Sequence, residues 1–370
     1  MRSAGSRRGG STSRQRSRSL ILGFNASIAA SLTALALAIP GLAEYHTEPS
    51  IGFSAEPPTA IHQMEGIVAF RPQDTPKDRF LVFGAGHEIE DNLDVPPLPP
   101  GGRLLVVLDA IPTLDVNGVP VDNWTRPARV VAQTPFGDLE LIRAMTGYGA
   151  GGRFVQDITA LAPALGTRCT LRAGLAGYPK VPTWTVRVQL VTEVQGAAHR
   201  NPGYCQPLWL EDVLLPNGSI SQTITIPGEL RAPRILLRST GHSATGSAYH
   251  EFVSLTHVLK VDGLEVARYR PWQEDGGTAR RLNPAAGVPD PDQPSLLASD
   301  LDRSGWTPGR MVAPLVLPLP ELTPGRHTVT LEVLGGRPPK GLNQPIEGYW
   351  MQSAVVIADD QVLAPSPGTR

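Results

Sequence analysis

Thr256-His-Val-Leu-Lys-Val261-Asp262-Gly263-Leu264-Glu-Val-Ala-Arg-Tyr269 sets two short runs of mixed apolar and polar side chains around an Asp-Gly pair. Asp-Gly supplies the two left-handed residues of a tight hairpin turn, and a period near two turns one face of each run inward. The stretch therefore reads as a β-hairpin. The rest of the chain shares its character. It has 38 glycines and 37 prolines in 370 residues, about a fifth of the total, and long helical periodicity is nearly absent. Many short strands joined by turns argue for an all-β sandwich class.

Outward from the hairpin, Ser219–Ile226, Arg234–Arg238, Met311–Leu317, His327–Leu334 and Tyr349–Ala358 read as further strands. Toward the N-terminus, strand-like runs occur at Arg79–Phe83, Arg103–Ile111, Ala128–Thr134, Leu139–Met145, Arg153–Asp157, Cys169–Ala176 and Thr185–Val194. In the last of these Val186, Val188 and Leu190 face one way while Arg187 and Gln189 face the other, the pattern of a half-buried strand. Asp157 is placed to cap a short helical turn. Gln195–Pro207 is polar and carries Gly and Pro, and it is taken as the junction between two domains, 67–197 and 207–360. Residues 44–66, rich in Pro, Ser and Glu, read as a linker, and 361–370 as a disordered tail. Asp275–Pro294 reads as a long loop, of the kind that is functional or disordered.

Residues 1–43 stand apart. Six arginines and no acid precede Glu44, and Leu20–Ala43 is apolar and ends in small residues. That is a signal peptide, or an anchor if it is retained. A secreted or periplasmic protein follows from it, with membrane contact only if the leader stays. The leader holds six of the 33 basic residues and none of the 34 acids, so the remainder carries a net charge near −7. A mildly acidic chain has no electrostatic footprint for nucleic acid. Two cysteines, Cys169 and Cys205, lie 36 residues apart. Export permits a disulfide between them; two separate buried thiols are the other reading.

Chemistry-bearing side chains crowd around the hairpin. Arg238-Ser-Thr-Gly-His242 precedes it, followed by His250-Glu251-Phe252 and then Thr256-His257; Asp302-Arg303-Ser-Gly-Trp306-Thr-Pro-Gly309 comes after. Glycines let backbone approach a ligand closely. Glu251 beside Phe252 is placed either to exchange protons or to tie its loop down, with Arg303 as a partner. Arg303 offers a fork for oxygens and Trp306 a flat face for a sugar ring; an ion pair and a core Trp are the plain alternatives. His242, His250 and His257 raise the question of a metal. The first domain has no His-x-His or His-His pair to complete a copper site, so no metal and no cofactor are expected. His242 and His257 then serve as hydrogen-bonding supports.

These strings together resemble the C-terminal domain of the bacterial peptide-N-glycosidase F family: Gly241-His242, Glu251-Phe252, Thr256-His257 and Asp302-Arg-Ser-Gly-Trp-x-Pro-Gly309. The resemblance covers roughly residues 100–358. It implies two antiparallel eight-stranded jelly-roll sandwiches side by side, and an amidase cleaving the bond between Asn and the first N-acetylglucosamine of an N-linked glycan. Its partners would be N-glycosylated peptides or glycoproteins. By resemblance Glu251 and Arg303 would be catalytic, while Trp124, Thr125, Arg126, His242, Phe252 and Trp306 would line the substrate cleft. Two departures stand out. In Asp122-Asn-Trp-Thr-Arg126 the family's main catalytic acid position is Thr125, and a hydroxyl does not ionise near neutral pH. The family's supporting Glu has no counterpart in Leu171–Tyr178. A non-catalytic glycan or glycopeptide binder on the same scaffold is therefore the alternative, unless Asp122 moves in to supply the acid.

Overall fold

The computed structural model describes residues 59–68, 88–99, 101–122, 124–175, 184–194, 202–214, 217–243, 251–274, 276–277, 301–320, 322–335 and 348–359. The first half contributes β1 (Thr59–Val68), β2 (Glu88–Asp94), β3 (Gly102–Pro112), β4 (Pro127–Thr134), β5 (Gly137–Met145), β6 (Gly152–Asp157), β7 (Arg168–Leu175) and β8 (Trp184–Val194). The second contributes β9 (Pro202–Leu214), β10 (Ser219–Ile226), β11 (Arg231–Ser243), β12 (Thr256–Val261), β13 (Leu264–Tyr269), β14 (Leu315–Pro318), β15 (Gly325–Leu334) and β16 (Gly348–Asp359). A 3-10 turn, Thr159–Leu161, runs into one short helix, α1 (Ala162–Leu165), and Asp157 Oδ1 accepts the Thr159 N–H at 2.9 Å.

The strands form four antiparallel sheets, ordered β1-β8-β3-β6 and β2-β7-β4-β5 in the first half and β9-β16-β11-β14 and β10-β15-β12-β13 in the second. Subtracting eight from each label of the second half reproduces the first. One eight-stranded jelly roll is thus built twice, and no sequence repeat betrays it. The hairpin forms as read: Asp262 and Gly263 adopt φ of 51° and 83°, joining β12 to β13.

Four segments differ from the reading of the sequence. β1 begins inside the stretch read as linker, and β9 begins inside the stretch read as junction. β2, Glu-Ile-Glu-Asp-Asn-Leu-Asp, is acid-rich; its one fully buried residue is Leu93, too little to announce a strand. β14 starts only at Leu315, because Pro314 has no N–H to give a ladder and Met311 instead bridges to Ala144 of β5. The leader, Arg79–Phe83, most of Asp275–Pro294 and the tail lie outside the described residues.

Each half has its own core, but the cores are not sealed from each other. Cys205, Val355 and Ile357 of the second sandwich pack into the cluster built on Leu104, Val106, Leu141, Phe154 and Val188 of the first. Both cysteines are free and buried in that cluster. Burial pushes the Cys169 thiol up to about 11 and that of Cys205 up to about 12, so both stay protonated.

β5 carries most of the junction. Glu140 and Arg143 are 3% and 0% exposed. Arg143 donates to both Glu140 carboxylate oxygens at 2.9 and 3.0 Å, and its remaining nitrogen reaches across to Thr240 Oγ1 at 3.0 Å and the Met351 carbonyl at 2.9 Å. Ser353 of β16 donates to Glu140 Oε2 at 2.5 Å, and Arg238 of β11 donates to the Glu140 and Leu141 carbonyls at 3.3 Å. Burial alone would raise the Glu140 carboxyl, but the Arg143 and Arg238 guanidiniums outweigh it and hold the acid below its ordinary range. At the margin Arg129 of β4 grips Asp212 of β9 at 2.5 and 3.0 Å.

Candidate active site

The two sandwiches meet at a cleft of about 160 Å³. The first supplies Trp124, Thr125, Arg126 and Pro127 from the turn into β4, with Met145 at the end of β5 and Tyr148 just beyond it. The second supplies His242 at the end of β11, Tyr349 at the start of β16, Glu251 before β12 and Trp306 before β14. Backbone bonds hold these loops in register. The Arg126 N–H donates to the Thr146 side-chain Oγ1 at 2.8 Å and the Thr146 N–H to the Arg126 carbonyl at 2.9 Å, Gly241 N–H reaches Ser304 O at 2.9 Å, and Ser304 N–H reaches Glu251 O at 2.9 Å. Trp306 Nε1 donates to Gly241 O at 2.8 Å, which fixes its ring. Gly305 permits this turn: its φ is 79°, and a Cβ there would meet Ser239 O at 2.1 Å.

Among the described residues lining the cleft, Glu251 is the one carboxylate. Its side chain is 17% exposed and accepts from Arg303 Nε at 3.2 Å. Arg303 itself is not on the wall. Its side chain is fully buried, with Nη1 on Leu301 O at 2.9 Å, Nη2 on Tyr148 Oη at 2.9 Å, and the guanidinium 4.9 Å from the Phe252 ring centre and 4.8 Å from that of Trp306. The expectation that Arg303 polarises a substrate is corrected accordingly. It ties Glu251 to Tyr148 across the two sandwiches and has no free face for a ligand. Phe252 sits against Arg303 and does not line the cleft.

The Asp122 alternative is corrected too. Asp122 is 4% exposed and accepts from Arg126 Nε at 2.7 Å, Arg126 Nη2 at 3.0 Å, the Trp124 N–H at 3.1 Å and Trp184 Nε1 at 3.2 Å. Bringing it into the cleft would strip Arg126 of its partner and open the turn. Its work is to present Trp124, Thr125 and Arg126.

The two tryptophans differ. Trp306 is 3% exposed, with His242 stacked at 5.6 Å and Arg303 over its ring. Trp124 is 60% exposed, so it carries the open aromatic face. His242 is buried between Trp306 and Tyr349, 5.4 Å from the latter, with Nε2 2.8 Å from Thr240 Oγ1. Burial, reinforced by Arg143, drops its pKa from 6.5 to about 3, so it is neutral at physiological pH. His257 lies off the cleft. Its Nδ1–H donates to Leu255 O at 3.3 Å, which leaves Nε2 to accept from Ser239 Oγ at 2.9 Å, and burial lowers its pKa to about 4. No group of three or more His, Cys, Asp or Glu fit to hold a metal occurs among the described residues, and His250 lies outside them.

Two tyrosines were not singled out from the sequence. Tyr148, in Gly147-Tyr-Gly149, could have been found as an aromatic between glycines at a strand end. Tyr349 gave no such signal. It is 2% exposed, lines the cleft, and its hydroxyl has no hydrogen-bond partner among the described residues. Burial and the nearby Asp212 and Glu251 raise its pKa well above the ordinary tyrosine range, so the phenol remains a donor.

Residues 216–357 match the family model described as peptide-N-glycosidase F, C terminal. Two structures of PNGF-II, in the P21 and C2 space groups, superpose with TM-scores of 0.64 and 0.65 at 20% and 21% identity, over 81% and 80% of this chain. The chain spans about two thirds of their length, 66% and 64%. PNGase F, a glycosylasparaginase from Flavobacterium meningosepticum, superposes with a TM-score of 0.55 at 16% identity, over 81% of this chain and 96% of its own. At these identities the likeness establishes the shared fold. No curated protein matches the sequence.

Proposed function

Since residues 216–357 match the family model of the peptide-N-glycosidase F C-terminal domain and the chain shares the fold of PNGF-II and PNGase F, we propose that its cleft receives the asparagine–sugar linkage of an N-glycosylated peptide and hydrolyses the amide slowly. The observation that carries the reading is one cleft, shared by both sandwiches, that unites a carboxylate, Glu251, with an exposed aromatic face, Trp124, and an oriented guanidinium, Arg126. Trp124 takes the apolar face of the first sugar. Arg126, oriented by Asp122, and the Tyr349 hydroxyl donate hydrogen bonds to the amide oxygen. Glu251 accepts a proton as water adds to the carbonyl carbon. The C–N bond then breaks, the nitrogen takes up a proton, glycosylamine leaves, and Asp remains in the peptide. Thr125 offers a hydroxyl where a second carboxylate would move a proton, so the chemical step is impaired. The protein works outside the cytoplasm, where its basic and apolar leader directs it.

A second reading, glycopeptide binding without turnover, is favoured by the same Thr125. One assay separates them. Glycopeptide is incubated with the protein, and conversion of the glycosylated Asn to Asp is followed by mass spectrometry while binding is measured by calorimetry. Slow conversion that Glu251→Gln abolishes, in a variant with an unchanged circular dichroism spectrum, supports the amidase. Binding with no conversion in the wild type, or conversion untouched by Glu251→Gln, overturns it.

A further inference from the structure

In the proposed reaction the departing nitrogen needs a proton, and Glu251 is the one carboxylate among the described residues lining the cleft. Tyr148 lines the same cleft and is 4% exposed. A tight turn presents it. Gly147 N–H reaches Ala150 O at 3.0 Å and Gly149 takes a φ of 62°, which leaves Tyr148 at the corner.

Arg303 fixes where the Tyr148 hydroxyl lies. Its Nε donates to Glu251 Oε1 at 3.2 Å and its Nη2 to Tyr148 Oη at 2.9 Å. Those two N–H groups point off one edge of the planar guanidinium, the edge that grips both oxygens of a carboxylate in a bidentate pair. Here the two oxygens come from two residues, so the carboxylate and the phenol lie side by side. A guanidinium only donates, so the phenol oxygen accepts from it and the phenol proton points away from it. Arg303 and Glu251 are the charged groups that act on Tyr148. Burial holds the phenol above the ordinary tyrosine value against the pull of Arg303, so Tyr148 keeps its proton at neutral pH.

We propose that Tyr148 is the acid that protonates the departing nitrogen, with Glu251 as its proton-exchange partner. The inference rests on the amidase reading of the cleft and adds a catalytic residue to it. As water adds to the amide carbon, Glu251 takes one water proton. As the C–N bond breaks, the Tyr148 proton passes to nitrogen and the glycosylamine leaves. The phenolate then recovers the proton from Glu251 beside it, and the site is reset. Charge balances at each stage: carboxylate, guanidinium and phenol sum to zero, as do carboxylic acid, guanidinium and phenolate. The fully buried Arg303 side chain therefore always has one anion to pair with. An amide nitrogen leaving as an anion is far more basic than a phenolate, so a phenol is acid enough for the task.

The test uses the full chain and a glycopeptide, with conversion followed by mass spectrometry across a range of pH and binding by calorimetry. Tyr148→Phe is expected to lower kcat on the order of 10²-fold, the contribution of one positioned acid, with glycopeptide affinity unchanged. In a second variant Tyr148 is replaced by 3-fluorotyrosine, which keeps the ring and the hydroxyl and makes the phenol more acidic. It should bind as the wild type does and shift the alkaline limb of the kcat–pH profile to lower pH. Wild-type turnover that Tyr148→Phe leaves intact, or an alkaline limb that the fluorinated variant does not move, overturns the inference and leaves the amidase reading standing. Affinity lost in step with rate in both variants makes Tyr148 a structural tie for Arg303 and overturns the inference as well. No conversion by the wild type removes the amidase reading and the inference with it.

Discussion

On the proposed amidase reading, Thr125 is the residue on which activity would turn. Thr125→Asp is expected to raise the rate of Asn-to-Asp conversion, since a positioned acid or base contributes on the order of 10²–10⁴-fold. The structure moderates the gain. Arg126 already neutralises Asp122, and Arg303 already neutralises Glu251, so a new carboxylate shares its cations with existing ones. A rate unchanged in Thr125→Asp would show that proton transfer is not what limits the wild type. Tyr349 gives an independent test at the same scale. An unpartnered buried hydroxyl costs about 1–3 kcal/mol. Tyr349→Phe should therefore melt at the same temperature or higher while binding glycopeptide about five- to tenfold more weakly, consistent with one lost hydrogen bond. A stabilised variant with undiminished affinity would make Tyr349 a packing residue only. The site's outer members were legible in the sequence because His, Glu, Arg and Trp stood close to glycines. Tyr349 was not, since a tyrosine opening an apolar strand looks like any core aromatic.

The loop carrying Arg303 and Trp306 is the element most sensitive to small changes. Gly305→Ala adds a methyl 2.1 Å from Ser239 O at a φ of 79°. The loop must move, and with it the Trp306 bond to Gly241 and the Arg303 support of Glu251. Loss of most glycopeptide binding with the β-sheet circular dichroism signal retained is the expected result; wild-type affinity would show that the loop does not position the cleft. Most strands were readable from alternation. β5 was readable as a strand but not as a junction. Leu139-Glu-Leu-Ile-Arg-Ala-Met145 has the polar residues of a solvated face, yet a second sandwich covers that face and buries Glu140 and Arg143. Alternation reports what one sheet covers, not what a neighbouring domain adds. β2 failed for the opposite reason, having too few apolar residues to alternate.

For the molecule as a whole, the buried histidines set the response to acid. Folding lowers the pKa of His242 from 6.5 to about 3 and of His257 to about 4. Between those values the unfolded chain binds the extra protons. The contribution is therefore full above pH 6.5 and falls away as pH drops, by at most about 1.4 kcal/mol per histidine per pH unit. His327, raised by its bond to Asp262, runs the other way: its contribution is complete in acid and fades as pH climbs. Melting temperature is expected to fall steeply from pH 6.5 to 4.5, and His257→Gln should flatten part of that fall; an equally steep fall in the variant would assign the acid sensitivity to other groups.

The Glu140–Arg143 pair bears on how this protein can be taken apart. Removing one partner of a buried ion pair typically costs about 3–5 kcal/mol, and cutting the chain between β8 and β9 would expose both groups at once while stripping Arg143 of Thr240 and the Met351 carbonyl. The jelly roll that recurs twice is thus not a portable module. Expressed alone, either half should aggregate, and a chimera joining this C-terminal half to another protein's N-terminal half should become soluble only when β5 travels with it. What is inherited and engineered as a unit here is the pair of sandwiches.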